Sequence, residues 1–133
     1  MPAMFTLDHD REAGLLLVRF TGTLTVDIHR AMVAAVQRFV AANGLVDAIV
    51  DFSAVETHAL DLAYLKTVAS ERAVLHGRKR VFVAPQDLAF GTSRLFEMHQ
   101  AATGDRPFVV RTMAEALEIV GVPAPRYERI DPS

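Results

Sequence analysis

The sequence predicts an α/β domain: a mixed five-stranded sheet, mostly parallel, built from four successive β-α units after an antiparallel N-terminal strand. Two observations carry this. Short apolar runs at 4–7, 15–20, 46–52, 81–84 and 108–110 have the length and character of strands. From residue 26 onward, the segments between those runs repeat apolar residues at a helical period. Strands that alternate with helices pair in parallel through right-handed crossovers. The first two runs have only a short polar loop between them and form a hairpin.

The first strand, 4–7, leads into a charged turn from Asp8 to Gly14. The second, Leu15 to Phe20, is nearly all apolar, which asks for burial on both faces and a central place in the sheet. Thr25 then caps a helix over 26–42, with Asp27 suited to its N-terminal dipole. Ile28, Met32, Ala35, Val36, Phe39 and Val40 form its apolar stripe, and Asn43-Gly44 stops it. A strand from about Val46 to Phe52 follows, then a helix from Leu62 to Leu75 closed by His76-Gly77. Arg78, Lys79 and Arg80 read as solvated cations at that helix end. The run 81–84 is a strand ended by Pro85, and Asp87 caps a third helix to about residue 102. After the strand 108–110, Thr112 and Glu115 make a capping box for a last helix that ends at Gly121. The domain spans 1–121. Residues 122–133 hold Pro123, Pro125 and Pro132 with little apolar content, and read as a loosely held tail.

Composition narrows the function. At 133 residues, 51% apolar and 23% charged, the chain is a single globular domain with a sizeable core. A net charge of -2 supplies no basic excess for nucleic acid or an anionic membrane. The absence of cysteine removes disulfides, thiolate catalysis and Cys-based metal sites. No apolar run approaches the roughly 18–20 residues of a membrane span. The N-terminus has no signal-peptide pattern, so a cytoplasmic location is expected. The five histidines show no H-x-x-x-H or H-E-x-x-H spacing, and no glycine-rich phosphate loop occurs, so neither metal nor cofactor is expected.

Polar chemistry concentrates between Asp51 and Asp61, where the third strand hands over to the second helix. Ser53, Glu56, Thr57, His58 and Asp61 lie on this elbow, and Tyr64 opens the helix behind it. The carboxyl ends of parallel strands are where open α/β sheets meet ligands and partners. Helix N-termini also point there, but Asp27, Asp61, Asp87 and Glu115 already occupy them and weigh against a strong phosphate site. Ser53, His58 and Asp61 sketch a hydrolytic triad, yet Ser53 lacks the tight glycine-flanked turn that such a nucleophile uses. The chain is therefore read as a non-enzyme. Arg94 stands in a polar stretch of the third helix beside Gly91 and is either plain surface or a holder of a carboxylate or head group.

The segments GTLTVDIHRAMVAAV (22–36), DFSAV (51–55) and VFVAPQDLAFGTSRLFEMH (81–99), with the order of elements, resemble the STAS domain, in particular its SpoIIAA-like group. The resemblance covers about 5–120 and implies a regulatory protein-interaction module with a protein partner. Family members that antagonise anti-sigma factors carry a phosphorylatable serine at the start of the second helix. That position falls here on Leu60 or Asp61, so control by phosphorylation is put in doubt, and Asp61 would stand as a fixed charge. The docking surface would be the elbow with Ser53, Glu56, Thr57, His58, Asp61, Tyr64 and, on the third helix, Arg94. The alternative is a carrier or sensor of a small apolar, lipid-like ligand, walled by Tyr64, Phe90, Leu95, Phe96 and Met98. A homodimer is also expected, through surplus apolar residues such as Met32 and Phe39 and an open edge of the N-terminal hairpin.

Overall fold

The structure, a computed structural model, describes residues 4–131. β1 (Phe5–Asp10) and β2 (Leu15–Leu24) form the expected hairpin. Then come α1 (Val26–Asn43), β3 (Asp47–His58), α2 (Leu62–Ser70), β4 (Arg80–Val83), α3 (Asp87–Gln100), β5 (Phe108–Val110), α4 (Met113–Val120) and β6 (Glu128–Ile130). A 3-10 turn, Ala101–Thr103, extends α3. The sheet runs β5–β4–β3–β2–β1–β6 and is parallel from β2 to β5.

Six strands stand where five were expected. The extra one comes from the segment read as a tail: Glu128–Ile130 pairs antiparallel with β1 and closes the hairpin's outer edge. It is invisible in the sequence because only Ile130 is apolar and it packs at the edge of the core. Pro132, part of that tail reading, and Met1 to Ala3 lie outside the described residues.

Each step from β2 to β5 moves the same way across the sheet, so right-handed crossovers put α1, α2 and α3 on one face. Leu16, Val18, Phe20 and Ala48 point to that face and meet Ala35, Val36 and Phe39 of α1. Phe82 meets Ala69 of α2 and Phe96 of α3 there. The alternate residues Leu15, Leu17, Ile49, Val81 and Val83 point to the other face and meet Ala116 of α4.

Caps explain several helix starts. The Thr25 hydroxyl accepts from Ile28 N at 3.2 Å, and Thr112 accepts from Glu115 N at 3.2 Å. Asp87 is not a cap: the N-cap is Gln86, without a side-chain bond, and the Asp87 carboxylate instead accepts from Arg111 at 2.7 Å.

Four boundaries differ from the expected ones in ways that shape the site. β1 runs on to Asp10 because its acidic residues are partnered. Asp8 accepts from Arg129 Nε at 2.6 Å, and Asp10 accepts from the backbone N–H groups of Ala13 and Arg126, both at 2.9 Å. β2 and β3 continue to Leu24 and His58, beyond the end of β4. α2 stops at Ser70, since Glu71 turns to extended backbone (φ -87, ψ 154), and 71–79 crosses the sheet without helix. Finally, Arg80 does not join Arg78 and Lys79 at the surface. It shares the side of β4 that carries Phe82 and is half-buried.

Candidate functional site

Beyond Thr21 and Asp51 the two central strands pair only with each other among the described residues. The register between β2 and β3 slips between Arg19 and Thr21 and again between Gly22 and Thr23. Such bulges bend and twist a strand pair. Gly22 takes φ 71, a left-handed conformation that strains any residue with a Cβ, and a Cβ there would also have to displace the mobile end of the Met4 side chain. The result is a two-stranded ribbon ending at Leu24 and His58, with Ala59 N donating to Leu24 O at 2.9 Å.

The predicted elbow is thus mostly strand. Ser53, Glu56 and Thr57 are exposed on β3. The Ser53 hydroxyl donates to Asp51 at 2.5 Å and its N–H to the same oxygen at 2.9 Å, which commits it to the turn of the strand. Asp61 is the N-cap of α2 and accepts from Tyr64 N at 2.7 Å. His58 turns inward, half-buried, and its Nε2 has no hydrogen-bond partner among the described residues. The three triad candidates therefore do not form a relay: Ser53 bonds Asp51, Asp61 bonds a backbone N–H, and His58 bonds neither. Arg94 lies apart on α3, paired with Glu97 at 3.0 Å. Among the described residues no group of three or more His, Asp or Glu is placed to hold a metal, and no helix is long and apolar enough to cross a membrane.

Tyr64 ties α2 to α1. Its hydroxyl and His29 Nδ1 share a hydrogen bond of 2.7 Å, their rings meet edge to face at 5.5 Å, and Arg30 lies over the Tyr64 ring. Burial lowers the His29 pKa to about 4, so the ring is neutral at pH 7. Burial also lowers His58 and raises Tyr64.

Behind this tie lies a cavity of about 200 Å³ between the sheet and α1, α2 and α3. Val18, Val50, Phe52, Leu65, Phe82 and Phe96 give it an apolar wall. His29 and His58 stand at the ribbon end, and Arg80 with Gln100 at the opposite end of the sheet. Gln37, Glu71 and Arg72 line it and are exposed, so the opening lies between α1 and the segment after α2. The cavity exists because α2 ends early and leaves part of the sheet under loop. Of the expected pocket wall only Phe96 lines it. Leu95 and Met98 are exposed, Phe90 packs under the Arg111 guanidinium at 4.1 Å, and Tyr64 contributes through His29. Sequence reading missed His29 and Arg80. The signal for Arg80 was its even spacing with Phe82 on a strand, masked by the basic run before it.

The features invoked for a homodimer are absorbed within the chain. Phe39 is buried, Met32 packs against the same core, and β6 covers the hairpin edge.

No protein-family model matches the sequence, and no curated protein matches it in sequence. Among solved structures the chain is similar to the anti-sigma factor antagonist SpoIIAA in its unphosphorylated form, with a TM-score of 0.57 and 14% identity over 88% of this chain and 97% of that one. It is also similar to an uncharacterized DUF3478-family protein from Shewanella loihica, with a TM-score of 0.59 and 14% identity over 87% of this chain and 91% of that one. That protein too has a SpoIIAA-like fold. The α/β fold of this chain is SpoIIAA-like.

Proposed function

We propose that this domain is a non-catalytic regulatory module that docks a protein partner on the β2–β3 ribbon and the N-terminus of α2. One observation carries the reading. Pairing between β3 and β4 ends at Asp51 and Val83, while β3 continues to His58. Among the described residues, 52–58 are therefore paired on one side only, Ser53, Ala54, Glu56 and Thr57 are exposed, and the exposed Asp61 follows the strand's end. A strand edge of this kind accepts a partner's backbone, and flanking side chains select it. The likeness to SpoIIAA, an anti-sigma factor antagonist, supports a regulatory protein partner. The test is affinity capture with wild type, Glu56→Arg and Glu118→Gln, the last exposed on α4 across the sheet. A protein held by wild type and Glu118→Gln but lost from Glu56→Arg supports the reading; equal retention by all three overturns it.

The cavity favours a second reading alongside the first, the binding of a small apolar ligand that this domain carries or senses. Its volume of about 200 Å³ exceeds the ~150 Å³ at which an engineered apolar cavity takes up benzene. Native mass spectrometry of protein purified from cells, compared before and after denaturing extraction, tests for a retained apolar molecule.

A further inference from the structure

The cavity's chemistry is uneven along its length. Ala48, Val50 and Phe52 line it in succession, so it follows β3 for about 13 Å at the usual rise per residue. Its middle is apolar. One end carries a guanidinium, that of Arg80, level with Ala48 in the strand register.

Charges taken out of water are ordinarily paired with an opposite charge. Arg80 is the exception here. The ion pairs among the described residues use Arg19, Arg78, Arg94, Arg106, Arg111 and Arg129. Arg80 instead donates from Nη2 to two neutral acceptors, Gln100 Oε1 at 2.5 Å and the Asp105 carbonyl. The nearby Asp105 carboxylate accepts from Gly77 N at 3.0 Å and reaches Arg80 only as a longer-range field. Burial accordingly disfavours the charged form of Arg80. Gln100 is itself 2% exposed, so the guanidinium is held by a side chain enclosed in the protein. Its Nε and Nη1 make no hydrogen bond to the described residues. With Nη2 engaged, a guanidinium whose Nε and Nη1 donors are left over can still give a carboxylate oxygen a single charge-assisted hydrogen bond, though not a bidentate fork.

We propose that the cavity binds an apolar monocarboxylate of short to medium chain length, with its carboxylate on Arg80 and its hydrocarbon along Val50, Phe82 and Phe96. This rests on the ligand reading above and names the ligand's class. One cation at the inner end, with Arg72 only at the exposed opening beside Glu71, and an apolar wall suit a monoanion and give a phosphate dianion too few donors. The volume suits a chain of roughly the octanoate class and not a long acyl chain.

The test is calorimetry on the full chain with octanoate, 1-octanol and inorganic phosphate, using wild type, Arg80→Met, Arg80→Gln and Arg72→Met. Arg72 is the competing cation, exposed at the opening. The expected result is octanoate binding at least tenfold tighter than octanol, with no binding of phosphate. Either Arg80 substitution should erase that preference while octanol binding stays the same, and Arg72→Met should keep the preference for octanoate over octanol. Equal binding of octanoate and octanol by wild type overturns the role of Arg80 and leaves the ligand reading standing. Loss of octanoate on Arg72→Met alone also overturns the placement. Binding of neither octanoate nor octanol to wild type overturns the ligand reading and the proposal together. If the Arg80 variants fail to fold by circular dichroism, the Arg80 Nε–H resonance of the wild-type chain gives the answer. Saturating octanoate should shift it and saturating octanol should not; an unmoved resonance overturns the proposal.

Discussion

The two faces of the sheet treat polar groups in opposite ways. On the α4 face, buried carboxylates are matched. Asp51 accepts from Arg19 at 3.2 Å and from both Ser53 donors, Asp8 accepts from Arg129, and Asp10 from two backbone N–H groups. On the face covered by α1, α2 and α3, there is a cavity and, among the described residues, a histidine Nε2 without a hydrogen-bond partner and a guanidinium in no direct ion pair. The first face uses polarity to fix strand register and hold the C-terminal strand. The second leaves volume and hydrogen-bonding capacity unfilled, which costs stability unless something else supplies the missing atoms. Function is therefore sought on the three-helix face and at its ribbon end.

The comparison breaks most directly along one strand. Ile49 and Val50 point to opposite faces of β3. Ile49→Ala opens a void in the close-packed face and should cost about 2–5 kcal/mol, while Val50→Ala only enlarges an existing space and should cost less than half as much. Urea unfolding with unchanged m-values measures both. Equal losses would mean that the two faces are packed alike.

Enlarging side chains should give the converse. Ala116 is fully buried between α4 and the sheet, and Ala116→Val should cost about 1–3 kcal/mol by overpacking. Ala48 is equally buried but borders the cavity, so Ala48→Val should be close to neutral in thermal unfolding. Apolar ligand uptake should fall in that variant.

The pH dependence belongs to the cavity face. His29 has a pKa of about 4 in the fold against 6.5 unfolded. Below 6.5 the unfolded chain takes up a proton that the folded chain refuses until about 4. Stability is therefore full above pH 6.5 and falls as pH drops toward 4, by about 2 kcal/mol between pH 7 and 5 from this group. His58, also lowered by burial, adds in the same direction. His29→Phe should flatten the slope of stability against pH; an unchanged slope would place the effect elsewhere.

The smallest effect is at the rim of the ribbon. Asp61→Ala removes the cap on α2 and should cost about 1 kcal/mol, whereas Asp61→Asn keeps the acceptor and should cost much less. If a partner reads the charge, Asn should still weaken partner binding, more so at low salt.

Much of this fold was legible because period and capping are local. The alternation of apolar runs with helical segments, the Thr25 cap and the Thr112–Glu115 box are all short-range signals, and each is found in place. What escaped depends on distant partners. Asp8 and Asp10 look like turn residues until Arg126 and Arg129 arrive from the far end of the chain. α2 keeps its apolar spacing through Leu75, yet the chain leaves the helix at Glu71 so that Leu75 and Val74 can reach the α1 core. Of the candidate site, Ser53, Glu56, Thr57 and His58 lie along β3, Asp61 and Tyr64 at the start of α2, and Arg94 apart on α3. The cavity could not be read at all, because a void has no sequence signal of its own.

β6 sets an order of events for the folding chain. β1 meets β2 within the first two dozen residues, but its other edge waits for Glu128–Ile130, and Asp10 waits for Arg126 across a separation of 116 positions. On a ribosome the hairpin therefore emerges long before its outer strand exists. Until then an unpaired edge carrying two acidic residues faces solvent, and their mutual repulsion opposes strand addition by a neighbouring nascent chain. The last strand to be made is thus the one that completes the sheet, and long-range closures of this kind slow the final step of folding.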